Sequence, residues 1–356
     1  MLKNAKRHHK SSIVLRSSGS LLLGAILASC GSAGVSSTSA TTGGQSLTPV
    51  STLAPATTSS GPFSNPASTL APTNAPISGV LPLGDGKVLY GSSQVGYIDA
   101  CGTLRNNTRR VHGGPWINYS NSTWTPSQKV AVQGANYYPN AYFNVSVSNG
   151  TRTIATDSVP VGMPVGNFPI SPNDPAYQYD TNPNHIVPKA LSITVPASPT
   201  VAQSPSCLPM GAIGVLTNGV MLFNALDAGS LDAVAHETQD SCGGHPDHFG
   251  TYHYHDISPC ILAKATGQST LVGYALDGFG IYVERNANGS LVTNSQLDAC
   301  HGRVSPVLWD GKTVNMYHYD ATSAYPYTIG CFVGTVTPTA AISIGDPLPA
   351  FSQRQG

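Results

Sequence analysis

The chain has 356 residues with seventeen basic and seventeen acidic side chains, but five of the Lys and Arg lie in the first sixteen residues, so the remainder carries twelve basic against seventeen acidic residues, a net of −5. That balance excludes a nucleic-acid or anionic-lipid binder, which needs a basic surface. Only 10% of residues are charged, and 37 Gly and 28 Pro stand among abundant Ser and Thr, a composition that points to a loop-rich, β-rich exported protein.

In chain order, Lys3, Lys6, Arg7, Lys10 and Arg16 precede an apolar run, Leu21-Leu-Leu-Gly-Ala-Ile-Leu27. A basic region followed by an apolar run too short to span a bilayer reads as an export signal. The run ends in Leu27-Ala28-Ser29-Cys30, which resembles the lipobox of bacterial lipoproteins. That resemblance implies cleavage after Ser29, a diacylglycerol on Cys30 and a lipid-anchored protein of the bacterial cell envelope: outer membrane in a diderm, outer face of the plasma membrane otherwise. The expected partner is then the membrane, reached through the N-terminal lipid. Residues 17–84 contain no charge and, after Cys30, consist largely of Ser, Thr, Ala, Pro and Gly, with Ser-Thr-Leu-Ala-Pro at 51–55 and again at 68–72. Such a segment cannot bury enough apolar surface to fold and reads as a tether.

Order is expected from Asp85. The divisions are a signal peptide (1–29), a lipidated Cys and tether (30–84), an N-terminal β-rich region (85–200), a core domain (201–340) and a tail (341–356). Phe143, Val145 and Val147 alternate with polar residues ahead of Asn149-Gly150, which predicts a β-hairpin; Asn288-Gly289 predicts a second. Residues 230–237 are the one good helix candidate, with Ser230 as N-cap. The fold class is therefore mainly β with long loops and little helix. Besides Cys30 there are six cysteines, Cys101, Cys207, Cys242, Cys260, Cys300 and Cys331. An even count in an oxidising compartment predicts three disulfides, for which fifteen connectivities exist. The short loops favour Cys242–Cys260 and Cys300–Cys331, each worth about 3–4 kcal/mol in the chain-entropy model, which leaves Cys101–Cys207.

The chemistry lies between Cys207 and Gly334. Asp240-Ser-Cys242-Gly-Gly244-His245 is followed by Tyr252-His253-Tyr254-His255 and Cys260; Asp298-Ala-Cys300-His301-Gly302-Arg303 is followed by Tyr317-His318-Tyr319-Asp320 and Cys331. Both read Asp-x-Cys-x-Gly, a gap, Tyr-His-Tyr-x, a gap, Cys: an internal duplication, with two copies packed as a pseudo-symmetric pair. On a strand, His253 and His255 share a face about 7 Å apart at Cα, with Tyr252 and Tyr254 on the other. Two such imidazoles can grip one metal ion. Further ligands come from His245, His248, His318 or Asp320, and the tyrosines, Asp277 and Asp320 are candidates to support the ligands by hydrogen bonding. The predicted ligand set is His245, His253, His255 and His318. Imidazole with carboxylate favours Zn, Cu(II) or Fe. A His-x-His pair also serves as a hydrogen-bonded polar core, and that alternative stands beside the metal. Glu237 is either an acid close to these ligands or the end of the short helix. Asp277 also reads as a turn residue ahead of a strand.

Residues 207–334 resemble the YHYH family of exported proteins through Cys242-Gly-Gly-His245, Tyr252-His-Tyr-His255, Asp277-Gly-Phe-Gly-Ile-Tyr282, Tyr325-Pro-Tyr327 and the apolar phrase from Met210 to Val220 ahead of Phe223. The resemblance implies a domain and assigns no activity. Three functions follow from the residues. The first is a metal-binding envelope lipoprotein. The second is a metal-dependent envelope hydrolase: His-x-His resembles half of the ligand set of zinc peptidases that cut peptidoglycan, with His236-Glu-Thr-Gln-Asp240 as a His-x-x-x-Asp placed unusually close to it. The third is a non-catalytic adhesion or glycan-binding module, suited by sixteen Tyr and the tether. No nucleophile elbow, P-loop or dinucleotide fingerprint is present, and no catalytic residue is assigned.

Overall fold

The computed structural model describes residues 79–102 and 112–336. The signal segment, Cys30, the tether as far as residue 78 and the 341–356 tail lie outside the described residues. The described chain is mainly β with long loops and two four-residue α-helices, the class expected from its strand-and-turn pattern.

Five two-residue strands open it: β1 (Leu81–Pro82), β2 (Val88–Leu89), β3 (Ile98–Asp99), β4 (Ile117–Asn118) and β5 (Thr123–Trp124). β1 lies ahead of Asp85, and Leu83 behind it is already in the core. A three-stranded meander follows, built from β6 (Phe143–Ser148), β7 (Thr151–Thr156) and β8 (Leu191–Pro196). Its first turn is the predicted Asn149-Gly150, with φ of 51° and 75°. Two consecutive left-handed residues are what a two-residue hairpin turn requires, because they match the twist of the flanking strands. Ile154, Ile193 and Val195 alternate inward, and beside them Arg152 is 1% exposed. Its guanidinium lies 4.5 Å from the Trp309 ring and 4.9 Å from the Tyr274 ring and reaches Asp310 at 2.8 Å. The buried charge is thus paired and stacked, and it ties the meander to the main sheet.

That main sheet has eight strands. In chain order they are β10 (Ala212–Leu216), β11 (Met221–Phe223), β12 (Gly244–Pro246), β13 (Tyr252–Tyr254), β14 (Ser269–Ala275), β15 (Gly280–Glu284), β16 (Gly302–Trp309) and β17 (Lys312–Asp320). Their spatial order is β12-β13-β11-β10-β14-β15-β17-β16. Read from either edge inward, each half is an antiparallel pair whose inner strand runs parallel to the outer strand of an antiparallel hairpin. The halves meet where β10 and β14 pair antiparallel. The Cys/Tyr-His-Tyr duplication is therefore one half of a larger four-strand repeat, and the repeat also includes hairpins that carry no Cys or His. Short strands β9 (Val201–Ser206) and β18 (Phe332–Gly334) form a separate antiparallel pair.

One hydrophobic core draws on both predicted regions, from Leu83, Trp116, Ile154 and Ile193 to Ile213, Leu222, Ile281 and Tyr319. The disulfides are Cys101–Cys207, Cys242–Cys260 and Cys300–Cys331. The predicted helix is shorter than expected: α1 is Ala233–His236, N-capped by Asp232 and not by Ser230. The Asp227 carboxylate accepts from the Gly229 and Leu231 amides at 2.8 and 2.7 Å, so a side-chain-closed turn takes the residues ahead of Asp232. At Asn288-Gly289 the chain does turn, with Gly289 at φ 84°, but only a single bridge, Arg285 to Leu291, closes it, so the second expected hairpin has no paired strands.

Candidate metal centre

The site is built from a turn outward. The Asp240 carboxylate, buried at 1% exposure, accepts from the amides of Cys242 (2.9 Å), Gly244 (3.2 Å) and Gly166 (2.8 Å) and from the Tyr252 hydroxyl (2.8 Å). Gly243 turns the chain at φ 82°, and a Cβ on Gly244 would sit 2.2 Å from the Tyr252 ring. The Asp-x-Cys-Gly-Gly phrase is thus the geometry of the turn. The Cys242–Cys260 bridge pins it to the start of α2 (Pro259–Leu262), where Ser258 caps the helix and its Oγ donates to the Cys242 carbonyl. The turn delivers β12 antiparallel to β13 with His245 directly opposite His253. Cross-strand partners share a face, and so do residues two apart, so His245, His253 and His255 converge while Tyr252 and Tyr254 point to the other side. One ring nitrogen from each of the three histidines lies within 4.8 Å of the other two, and all three residues are buried.

The outer atoms of two rings are fixed. His253 Nδ1 lies 2.9 Å from the Thr251 carbonyl and His255 Nδ1 2.5 Å from the Asn224 carbonyl. A carbonyl only accepts, so each Nδ1 carries a proton. His253 Nε2 then presents a lone pair, because burial keeps that ring neutral, whereas at His255 the Glu237 carboxylate outweighs burial and raises the ring above the ordinary histidine range. Those two Nε2 atoms face each other at 3.1 Å. Either a metal ion between them or a proton on His255 Nε2 accounts for that approach. Phe223 stacks on His253 at 3.9 Å and limits the ring's freedom to turn away. Glu237 completes the group: its Oε2 lies 3.1 Å from His255 Nε2 and 3.3 Å from His245 Nε2. Neither contact has hydrogen-bond geometry, and Glu237 Oε2 and both nitrogens of His245 have no hydrogen-bond partner although buried. Four donors at about 2.0–2.1 Å from a tetrahedral Zn²⁺ are separated by edges of about 3.3–3.4 Å. Three of the six spacings, at 3.1–3.3 Å, match such edges, and the His245 nitrogen lies within 4.8 Å of those of His253 and His255.

Charge supports the same arrangement. Burial, together with His245 and His255, holds His253 well below the ordinary histidine range, so its imidazole stays neutral and ligand-ready. Burial alone would raise Glu237, but His245 and His255 outweigh it and hold the carboxyl well below its usual range. Behind the site, burial pushes the Lys129 ammonium down to about 8 and the Asp256 carboxyl up to about 7. α1, whose C-cap is Glu237, is fixed in place by its neighbours: the Trp116 indole donates to the Ala235 carbonyl at 2.8 Å, and Lys129 Nζ donates to the Val234 carbonyl and Gln239 Oε1.

His318 does not join this group. It lies on β17, five strand spacings from β13, about 24 Å along the sheet. There it forms a second buried cluster with Glu284 and Asp320. The remaining predicted supporting residues serve other contacts. Tyr252 braces Asp240, and the Tyr254 hydroxyl accepts from the Asn218 amide at 3.1 Å. Asp277 accepts from the Tyr319 hydroxyl (2.6 Å) and the Gly334 amide (2.9 Å). His248 is exposed and packs on Phe249. His236 bonds Asp85 and the His112 carbonyl, while Asp240 holds its turn, so the His-x-x-x-Asp pair faces two different sets of partners. Glu237 is the ligand whose role the sequence leaves open, because its carboxylate arrives from outside the duplicated phrases.

No curated protein and no solved structure matches the chain. A family model described as YHYH protein matches residues 192–293, a span that holds the first copy's turn and its Tyr-His-Tyr-His strand.

Proposed function

We propose that the protein is a lipid-anchored cell-envelope protein whose YHYH domain holds one transition-metal ion through His245 Nε2, His253 Nε2, His255 Nε2 and Glu237 Oε2. One observation carries the reading: the Nε2 atoms of His253 and His255 lie 3.1 Å apart, and beside them both nitrogens of the buried His245 ring and Glu237 Oε2 have no hydrogen-bond partner. A hydrogen-bonded polar core can put a proton on His255 Nε2, but it leaves the buried His245 ring without a partner. Three imidazoles and one carboxylate suit Zn²⁺ first and Cu(II) or Fe after it. When bound, the ion supplies a compact double positive charge that neutralises Glu237 and joins α1 to β12 and β13. Four protein donors fill a tetrahedral site, which favours holding the metal over activating a water on it, so the hydrolase reading is second. Anchoring rests on Leu27-Ala-Ser-Cys30, and Cys30→Ala is expected to release the protein from the membrane fraction.

The test is elemental analysis of the full chain, extracted from membranes without chelator, beside the His253→Ala/His255→Ala variant with its disulfides and circular dichroism verified. About one equivalent of Zn, Cu or Fe, absent from the variant, supports the site. No metal in the parent, and none taken up on titration with Zn²⁺, rejects it.

A further inference from the structure

The second half of the sheet repeats the first residue by residue. Asp298 Oδ1 accepts from the Cys300 and Gly302 amides at 2.9 and 3.0 Å and from the Tyr317 hydroxyl at 3.1 Å, as Asp240 does in the first half. His318 takes the place of His253, and its Nδ1 lies 3.1 Å from the carbonyl of Met316, two residues back, as His253 Nδ1 lies against Thr251. Asp320 takes the place of His255. Arg303 takes the place of His245, and it lies opposite His318 in the β16–β17 register as His245 lies opposite His253. A carboxylate completes each group: Glu237 from the end of α1 in the first half, Glu284 from the end of β15 in the second.

The donors of the second group also converge. His318 Nε2 lies 3.3 Å from Glu284 Oε2 and 3.7 Å from Asp320 Oδ2. His318 Nε2 and both Asp320 oxygens are buried without a hydrogen-bond partner of good geometry. Besides its different ligands, the group differs from the first in that a cation is already present. Arg303 Nε lies 2.9 Å from Glu284 Oε2 and 3.3 Å from Asp320 Oδ2, and its terminal nitrogen also donates to Glu284. A guanidinium fixed between two carboxylates supplies the charge that a divalent ion would bring, and it does so from a side chain that cannot dissociate.

We propose that the second cluster is a metal site of the same design in which Arg303 is the resident cation, so that the chain holds one exchangeable metal, and that removing the guanidinium opens Glu284, His318 and Asp320 to a divalent transition cation. The inference concerns the second half and does not require that the first site be loaded. Full-length Arg303→Ala and Arg303→His are titrated with Zn²⁺ in the His253→Ala/His255→Ala background, with near-ultraviolet circular dichroism as the folding control. Arg303→His restores an imidazole opposite His318. The parent background is expected to bind no Zn²⁺, and a folded Arg303 variant about one equivalent, with the His variant at least tenfold tighter than the Ala variant. Folded variants that take up no Zn²⁺ overturn the proposal. The wild type supplies a further arm that does not depend on any variant folding: a second equivalent of Zn²⁺ there, like uptake by the folded double-His background, shows that Arg303 does not hold the site and also overturns it. Loss of metal at the first site alone would instead count against the functional reading, because the second site is read where the first has been removed.

Discussion

The two halves of the eight-stranded sheet share a backbone and differ in how they neutralise buried charge. Strand order, the parallel step from hairpin to Tyr-His-Tyr strand, the Asp-x-Cys turn and the disulfide recur in both. In the first half three imidazoles converge beside Glu237; in the second, Arg303 lies among Glu284, His318 and Asp320. A third pair diverges in the same sense. The Tyr254 hydroxyl meets the Asn218 amide, whereas the equivalent Tyr319 hydroxyl donates to the Asp277 carboxylate and accepts from the Val333 amide. The lesson is that the repeat keeps the scaffold while the charged residues it presents differ between the halves.

The largest effects test the scaffold. In the chain-entropy model, losing the bridge outside the repeat, which spans 106 residues, costs about 4.8 kcal/mol, whereas the equivalent bridges spanning 18 and 31 residues cost about 3.2 and 3.7 kcal/mol. Urea unfolding of the three double-Ser variants measures this; a large inequality between the two equivalent bridges would break the symmetry of the halves. Next in size, Glu237→Gln is expected to weaken Zn²⁺ binding at least about tenfold and Glu284→Gln to leave it unchanged, by competition with a chromogenic chelator. Equal effects would mean that both halves share one metal. Tyr319→Phe breaks a bond to a carboxylate and should cost about 2 kcal/mol; Tyr254→Phe breaks a neutral one and should cost about 1 kcal/mol, read as midpoints in urea.

The pH dependence tests the comparison separately. Burial lowers His301 to about 3, so the unfolded chain binds a proton that the folded chain refuses, and stability present above the ordinary 6.5 is lost as pH falls from 6.5 towards 3. Glu284 is held at about 2, because His318 and Arg303 outweigh the burial that would raise it, and it adds a further loss as pH falls from 4.5 to about 2. His301 occupies the position of Gly243 and has φ 72°, a backbone conformation that asparagine also accepts. His301→Asn should therefore reduce the loss of stability between pH 6.5 and 3 without abolishing it, because His253 is also held below its ordinary range, and leave the lower limb in place. An unchanged slope in that variant would assign the acid sensitivity elsewhere.

Much of this was legible in the residues. The paired Asp-x-Cys and Tyr-His-Tyr phrases announce two equivalent units, and a period of two places His253 and His255 on one face. Periodicity cannot say which strands are neighbours, so His318 reads as a companion of His253 when five strand spacings separate them. The hairpins that complete the repeat carry no Cys or His, and nothing in β10 or β14 marks them as its centre. Glu237 comes from a helix end fixed by Trp116 and Lys129, contacts across more than a hundred residues that no local pattern encodes. Arg303 is visible only when the two phrases are laid over each other.

Zinc-edge X-ray absorption of the Zn²⁺-loaded full chain tests the central claim most directly. The account predicts about four donors near 2.0–2.1 Å, three of them with the outer scattering of imidazole and one oxygen, and no sulfur. Fewer than three imidazoles, or a shell dominated by water oxygens, would contradict it.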